Sequence, residues 1–164
     1  MKFYVMNNTK WQVSEVFLKW LLTHISKDLT KNVAKTAKHR KALKKQVGIV
    51  FIDKKAMRKL NKQYRQKDKV TDVLSFAGGG EVMDDDAFLG DIVLCVEQIK
   101  KQAEEHDLHA SEELSYLVLH GLLHLLGYDH EESEAEAKKM FRIQDKLFAD
   151  LQDRDILRAF RKKP

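Results

Sequence analysis

Apolar residues in the first half of the chain come in short dense runs, and in the second half they recur at helical spacing. KFYVMN near the N-terminus reads as a short strand. Ser14 is placed to cap a helix through VFLKWLLTHI, with Val16, Leu18, Trp20, Leu21 and Ile25 available for burial. VGIVFID is a compact β-branched run. Its closing Asp53 can cap the helix KKAMRKLNKQY, where Met57, Leu60 and Tyr64 share one face. TDVLSF and LGDIVLC read as two strands of a hairpin, joined by AGGGEVMDDDAF, whose consecutive glycines and acids predict a flexible, solvated loop. Helices are expected over Val96–Glu105, over 111–126 with Ser111 as N-cap, and from about Ser133 toward the C-terminus. Strands early and helices late predict the α+β class, with a small sheet of about four strands covered by about five helices.

The sequence has no repeat and no linker, and its one proline is Pro164, so 164 residues are expected to form a single domain, 1–164. At 43% hydrophobic and 34% charged residues the composition is that of a water-soluble globular protein. The N-terminus has no apolar signal segment, and no run approaches the ~18 apolar residues of a membrane span, so the expectation is a cytoplasmic protein without a membrane partner. The lone Cys95 can form no internal disulfide and sits in DIVLCVEQ as a small core hydrophobe. A net charge of +5 permits a polyanionic partner without requiring one. Its distribution is more informative. Residues 31–45, KNVAKTAKHRKALKK, hold six lysines, one arginine and no acid, while four of the six residues at 81–86 are acidic. A solvated helix face and a nucleic-acid contact surface are both open readings of the basic segment.

One stretch departs from simple amphipathic logic. In LVLHGLLHLLGYDHEE three histidines, His120, His124 and His130, fall within eleven residues of an otherwise apolar segment. Glu112 and Glu113 place negative charge in the first turn of this helix, where its dipole favours it. From Leu114 onward the helix is apolar nearly all round, which predicts a buried central element. His120 and His124, four apart, project from the same face. Gly127 can take the left-handed conformation that ends a helix and lets the chain double back, bringing His130 toward the other two. A neutral imidazole still presents one donor and one acceptor, and a single buried histidine is ordinarily satisfied by a hydrogen bond. Three converging rings are better satisfied by a shared metal. Chance is a poor explanation, because the pattern His-x3-His-x2-Gly-x2-His is expected in about one shuffled sequence of this composition in two thousand. Three nitrogen ligands leave a fourth tetrahedral position for water, as in catalytic zinc sites; nickel or copper would accept the same donors. Asp129, Glu131 and Glu132 are close enough in sequence to accept ring N–H bonds, or to be solvated turn residues.

The histidine spacing matches the metzincin protease signature H-E-x-x-H-x-x-G-x-x-H, except that Gly121 stands where the glutamate base belongs. Without that base an electrophile whose reaction depends on charge neutralisation is favoured, and a phosphodiester is one. A cation for it is available in NKQYRQKDKVTDVLSF. There Arg65 stands at a helix end, followed by Lys67 and Lys69, which can grip or neutralise phosphate, or can simply be a solvated helix end.

HGLLHLLGYDH, YRQKDKVTDVLSF and LGDIVLC together resemble the YbeY family of bacterial metal-dependent endoribonucleases, over about residues 47–140. The family usually has a proline after the SF of the strand motif, where this chain has Ala77. The resemblance implies a small mixed sheet covered by helices and zinc (Zn2+, with Ni2+ as the other divalent candidate) on His120, His124 and His130. It also implies a functional Arg65, as catalytic and substrate-binding residue, with Lys67 and Lys69 beside it. The implied activity is cytoplasmic cleavage of single-stranded RNA, with no DNA substrate. Its setting is ribosomal RNA maturation at the 3′ end of the small-subunit RNA, and ribosome quality control, in company with the small ribosomal subunit. A non-catalytic zinc-containing ribosome assembly factor and a metalloprotease are the alternatives.

Overall fold

A computed structural model describes residues 1–33, 36–78 and 87–154; parts of the basic segment, of the glycine-rich acidic loop and of the C-terminal stretch lie outside these described residues. Four strands form one sheet: β1 (Lys2–Asn7), β2 (Gln46–Ile52), β3 (Val73–Ala77) and β4 (Phe88–Cys95), in the order β1-β2-β4-β3. β1, β2 and β4 run parallel, and β3 returns antiparallel along β4 as the hairpin pattern predicts. The described residues hold six helices: α1 (Glu15–Asn32), α2 (Ala37–Ala42), α3 (Lys54–Arg65), α4 (Val96–Glu105), α5 (Ala110–Leu125) and α6 (Glu134–Gln152). The short α2 lies in the basic segment. None of the helices is long and apolar enough to cross a membrane.

Alternation along β2 and β4 divides the core between the two faces of the sheet. Val47, Ile49, Phe51, Ile92 and Leu94 join the large cluster that α1, α5 and α6 complete, while Ile52, Val93 and the buried Cys95 join a smaller one under Met57 of α3. α5 is the central helix, in contact with α4, α6, β3 and β4 and buried along most of its length. Ser14, Asp53 and Ser133 cap α1, α3 and α6 by accepting backbone N–H bonds of 3.3, 2.8 and 3.2 Å.

Three local expectations are corrected. α5 begins one residue before Ser111, with His109 as its cap: His109 Nδ1 accepts the Ser111 N–H at 3.3 Å and Glu112 reaches back to the His109 N–H at 3.1 Å. A glutamate at the third helical position completes a reciprocal capping box, which decides the boundary over Ser111 alone. Val16 points to solvent, because the core stripe of α1 is Phe17, Leu18, Leu21, Leu22, Ile25 and Leu29. Tyr64 is also exposed; the inward residues of α3 are Met57 and, one turn on, Asn61. Asn61 donates to the Lys69 carbonyl at 2.8 Å, tying the loop after α3 to the helix that precedes it.

Candidate metal centre

The C-terminal end of α5 brings the histidines together by a change of chain direction. Leu126 closes the helix, and Gly127 takes φ +91°, a conformation that strains any residue with a Cβ. The Gly127 and Tyr128 N–H groups donate back to the His124 and Leu123 carbonyls at 2.9 and 3.0 Å. The chain leaves on a new heading and returns His130 to the face that carries His120 and His124. The ring centroids form a triangle of 4.7, 5.2 and 5.0 Å, and one nitrogen of each ring lies within 4.8 Å of the other two. Among the described residues no other trio of histidine, cysteine or carboxylate side chains converges in this way.

Two observations test whether these rings suit a metal. His120 Nε2 and His124 Nε2 face each other at 3.1 Å. Two nitrogens bound tetrahedrally at 2.0–2.1 Å from zinc would stand about 3.3 Å apart. On its other side, His120 Nδ1 lies 3.0 Å from Oε1 of the fully buried Gln144. Donation from Nδ1 to that oxygen leaves the Nε2 lone pair pointing at the other rings, the tautomer a metal needs. The protonation state agrees. Burial pushes the His120 pKa down, against the opposing effect of Gln144, and His130 adds repulsion. Burial, followed by His120 and His130, brings His124 down to about 4. Both rings are neutral near pH 7, as ligation requires. The residues fit a divalent metal with three imidazole donors.

The histidines lie in a cleft of about 390 Å³ that also receives Arg65, Lys67 and Lys69. Arg65 is the last residue of α3. Gln66 then takes a left-handed conformation, φ 58°, and turns the chain so that Lys67 and Lys69 follow Arg65 into the cleft. Arg65 and Lys67 stand 3.6 and 4.0 Å from Glu131, next to His130 in sequence. His120, His124, His130, Arg65, Lys67 and Lys69 therefore meet in one place, whereas Glu132 and the described residues of the basic segment 31–45 do not line this cleft. Of the acids considered as ring acceptors, Glu131 faces these cations and Asp129 accepts the Glu131 N–H at 2.8 Å.

Gly121 shows why this site lacks the protease base. A Cβ there would lie 2.8–3.0 Å from three side-chain carbons of Ile92 on β4, so α5 and the sheet touch where a glutamate would have to fit. Sequence reasoning missed Gln144, Phe141, Tyr116, Asp72 and Ser75. Gln144 had a legible signal, since it interrupts the buried stripe Met140, Leu147 and Leu151 of α6. Asp72 and Ser75 had none, because only the sheet carries them to the cleft.

The family model described as Endoribonuclease YbeY matches residues 7–152. The chain belongs to the YbeY family. An Endoribonuclease YbeY of Bdellovibrio bacteriovorus is 43% identical over 149 residues, covering 90% of this chain and 93% of its own. One from Sulfurihydrogenibium sp. is 39% identical, covering 84% of this chain and 88% of its own. The solution structure of TM1509 from Thermotoga maritima superposes with a TM-score of 0.57 at 27% identity, covering 89% of this chain and 86% of that one. The mixed sheet covered by helices is what the YbeY resemblance implied.

Proposed function

We propose that this YbeY-family chain is a metal-dependent endoribonuclease of ribosomal RNA processing, with His120, His124 and His130 as metal ligands and Arg65 as catalytic and phosphate-binding residue. The observation that supports this most directly is the meeting, in one cleft, of three converging imidazoles with Arg65, Lys67 and Lys69. Zinc is the ion that three imidazoles and an open fourth position suit best, and nickel shares the donor preference. When bound, the metal supplies positive charge and Lewis acidity at the scissile phosphate.

The chain's own residues do the rest. Gln144 holds His120 in the ligating tautomer. Arg65 presents a planar pair of N–H donors to the phosphate oxygens and offsets charge that builds there during cleavage. Lys67 and Lys69 neutralise flanking phosphates. The substrate in this reading is single-stranded RNA at the 3′ end of small-subunit ribosomal RNA. The setting is the cytoplasm, the small ribosomal subunit is the partner, and 1–164 act as one domain. The contact between Gly121 and Ile92 counts against peptide hydrolysis.

The test combines metal analysis with cleavage of a labelled single-stranded RNA by wild type, His124→Ala and Arg65→Ala, each checked for folding by circular dichroism. About one metal per chain is expected in wild type and in Arg65→Ala, with little left in His124→Ala. Arg65→Ala should slow cleavage by roughly 10²–10³. Stoichiometric metal with no cleavage at any dose would instead make the protein a non-catalytic assembly factor.

A further inference from the structure

The two flanks of the cleft differ in chemistry. α3 and the loop after it contribute the cations, whereas α5 and α6 contribute the rings of Tyr116 and Phe141. Among the described residues the exposed large hydrophobics are Val5, Met6, Val16, Tyr64 and Phe141, and of these Phe141 alone lines the cleft. It is 38% exposed, although Met140 before it is fully buried. Its neighbours on the outward side of α6 are Lys138, Lys139, Arg142 and Asp145, so an apolar ring is out of place there. The Phe141 ring lies 5.4 Å from that of His130, at 28° to it. Besides that contact, Phe141 lines the cleft and keeps part of its surface exposed. Covering His130 would need only an aliphatic side chain; a partly exposed aromatic ring in the same cleft as the phosphate-binding candidates Arg65, Lys67 and Lys69 suits a nucleobase.

We propose that Phe141 is a stacking platform for an unpaired base of the RNA, set next to the scissile phosphate. This rests on the ribonuclease reading of the cleft. One histidine separates the two subsites: His130 stacks on Phe141, and Glu131 beside it contacts Arg65 at 3.6 Å. A nucleotide whose phosphate lies toward Arg65 and the histidines therefore has its base on the aromatic flank. The base must leave its own stack to reach the ring. In a duplex this means breaking a pair as well, so the platform favours single strands. Every base has a π-face, so selection at this subsite is for an accessible base and only weakly for its identity.

The experiment compares wild type, Phe141→Leu and Phe141→Trp on single-stranded RNAs that carry an abasic nucleotide at each position in turn. Metal content is measured in parallel. In wild type one abasic position should raise KM about tenfold, within the range that base–aromatic stacking is worth. Phe141→Leu keeps an aliphatic cover over His130. It should show that KM on intact RNA, with kcat within about twofold, unchanged metal content and no further loss at the abasic position. Phe141→Trp should retain the wild-type KM and the abasic penalty. Equal abasic penalties in wild type and Phe141→Leu would overturn the platform while leaving the nuclease intact. A wild type that cleaves no RNA would overturn both.

Discussion

The two ends of α5 both gather histidines and carboxylates, yet they are built for opposite purposes. The 16 residues of the helix hold them about 24 Å apart. At the N-terminal end the groups are satisfied by the protein itself. His106 Nδ1 meets Glu113 at 3.0 Å, Gln152 donates to Glu112 at 2.9 Å, and His109 and Glu112 close the capping box. Glu113 raises the His106 pKa by hydrogen bond and by charge. At the C-terminal end the three rings face one another, and the pKa values of His120 and His124 are lowered. Glu112 and Glu113 are buried, but the helix dipole and nearby donors compensate their charge. His120 and His124 sit at the negative end of the dipole, which favours a cation, and still burial holds them neutral. A histidine beside a carboxylate builds structure; histidines beside one another invite a metal.

The sharpest way to break this comparison is to remove one ring from each end. His124→Ala should release the metal and lower RNA cleavage by at least ~10³-fold, the scale of several kcal/mol of lost charge stabilisation. His106→Ala, at a half-exposed position, should keep its metal and cleave nearly as wild type. Metal analysis beside the cleavage assay reads both, and metal loss in His106→Ala would mean that the two ends are not independent.

Next in size is Gln144→Leu, which removes the acceptor for His120 Nδ1 while keeping the volume of the α6 stripe. Metal affinity should fall 10–100-fold with little change in fold, as read by competition with a chelating dye. An unchanged affinity would show that the His120 tautomer needs no help from α6.

The smallest effect is the pH response, in which the two ends should move in opposite directions. The folded pKa of His124 is depressed from 6.5 to about 4. Between these values the unfolded chain binds a proton that the folded site refuses, so the metal-free protein should lose stability as pH falls through that window. The folded pKa of His106 is raised above 6.5. Its contribution is complete below 6.5 and is lost as pH rises through the raised value. Glu113→Gln should remove about 0.5 kcal/mol or less of this, since His106 is half-exposed and screened. The difference from wild type should appear below pH 6.5 and shrink as pH rises through the raised His106 value. Melting temperatures of the metal-free proteins across pH 4–8 would check both signs, and parallel curves at every pH would contradict the Glu113 assignment.

Much of this architecture was legible along the chain. The β3–β4 hairpin, the caps Ser14, Asp53 and Ser133 and the turn at Gly127 rest on local chemistry, and local chemistry is what a sequence displays. The histidine trio was legible for the same reason, because its three members lie within one helix and the turn that ends it. Errors fell where a neighbour in space outweighed a neighbour in sequence. Tyr64 looks inward on a helical wheel, but only the packing of α3 on the sheet shows that Asn61 takes the inward place. The start of α5 is the exception, a local signal passed over: Glu112 and His109, three residues apart, together satisfy both helix-end donors.

By itself, then, the amino-acid order determined the elements, the histidine spacing, the glycine at 121 in place of the protease base and the cations at 65, 67 and 69. The tertiary structure decided that these cations reach the histidines, that Gln144 orients His120 from another helix, and that Phe141 stays exposed at the rim. The first set depends on periodicity and on backbone conformations within a few residues, where spacing alone fixes direction. The second depends on how α3 and α6 pack about the sheet and α5, which brings together residues as distant in sequence as Arg65 and Glu131, or His120 and Gln144.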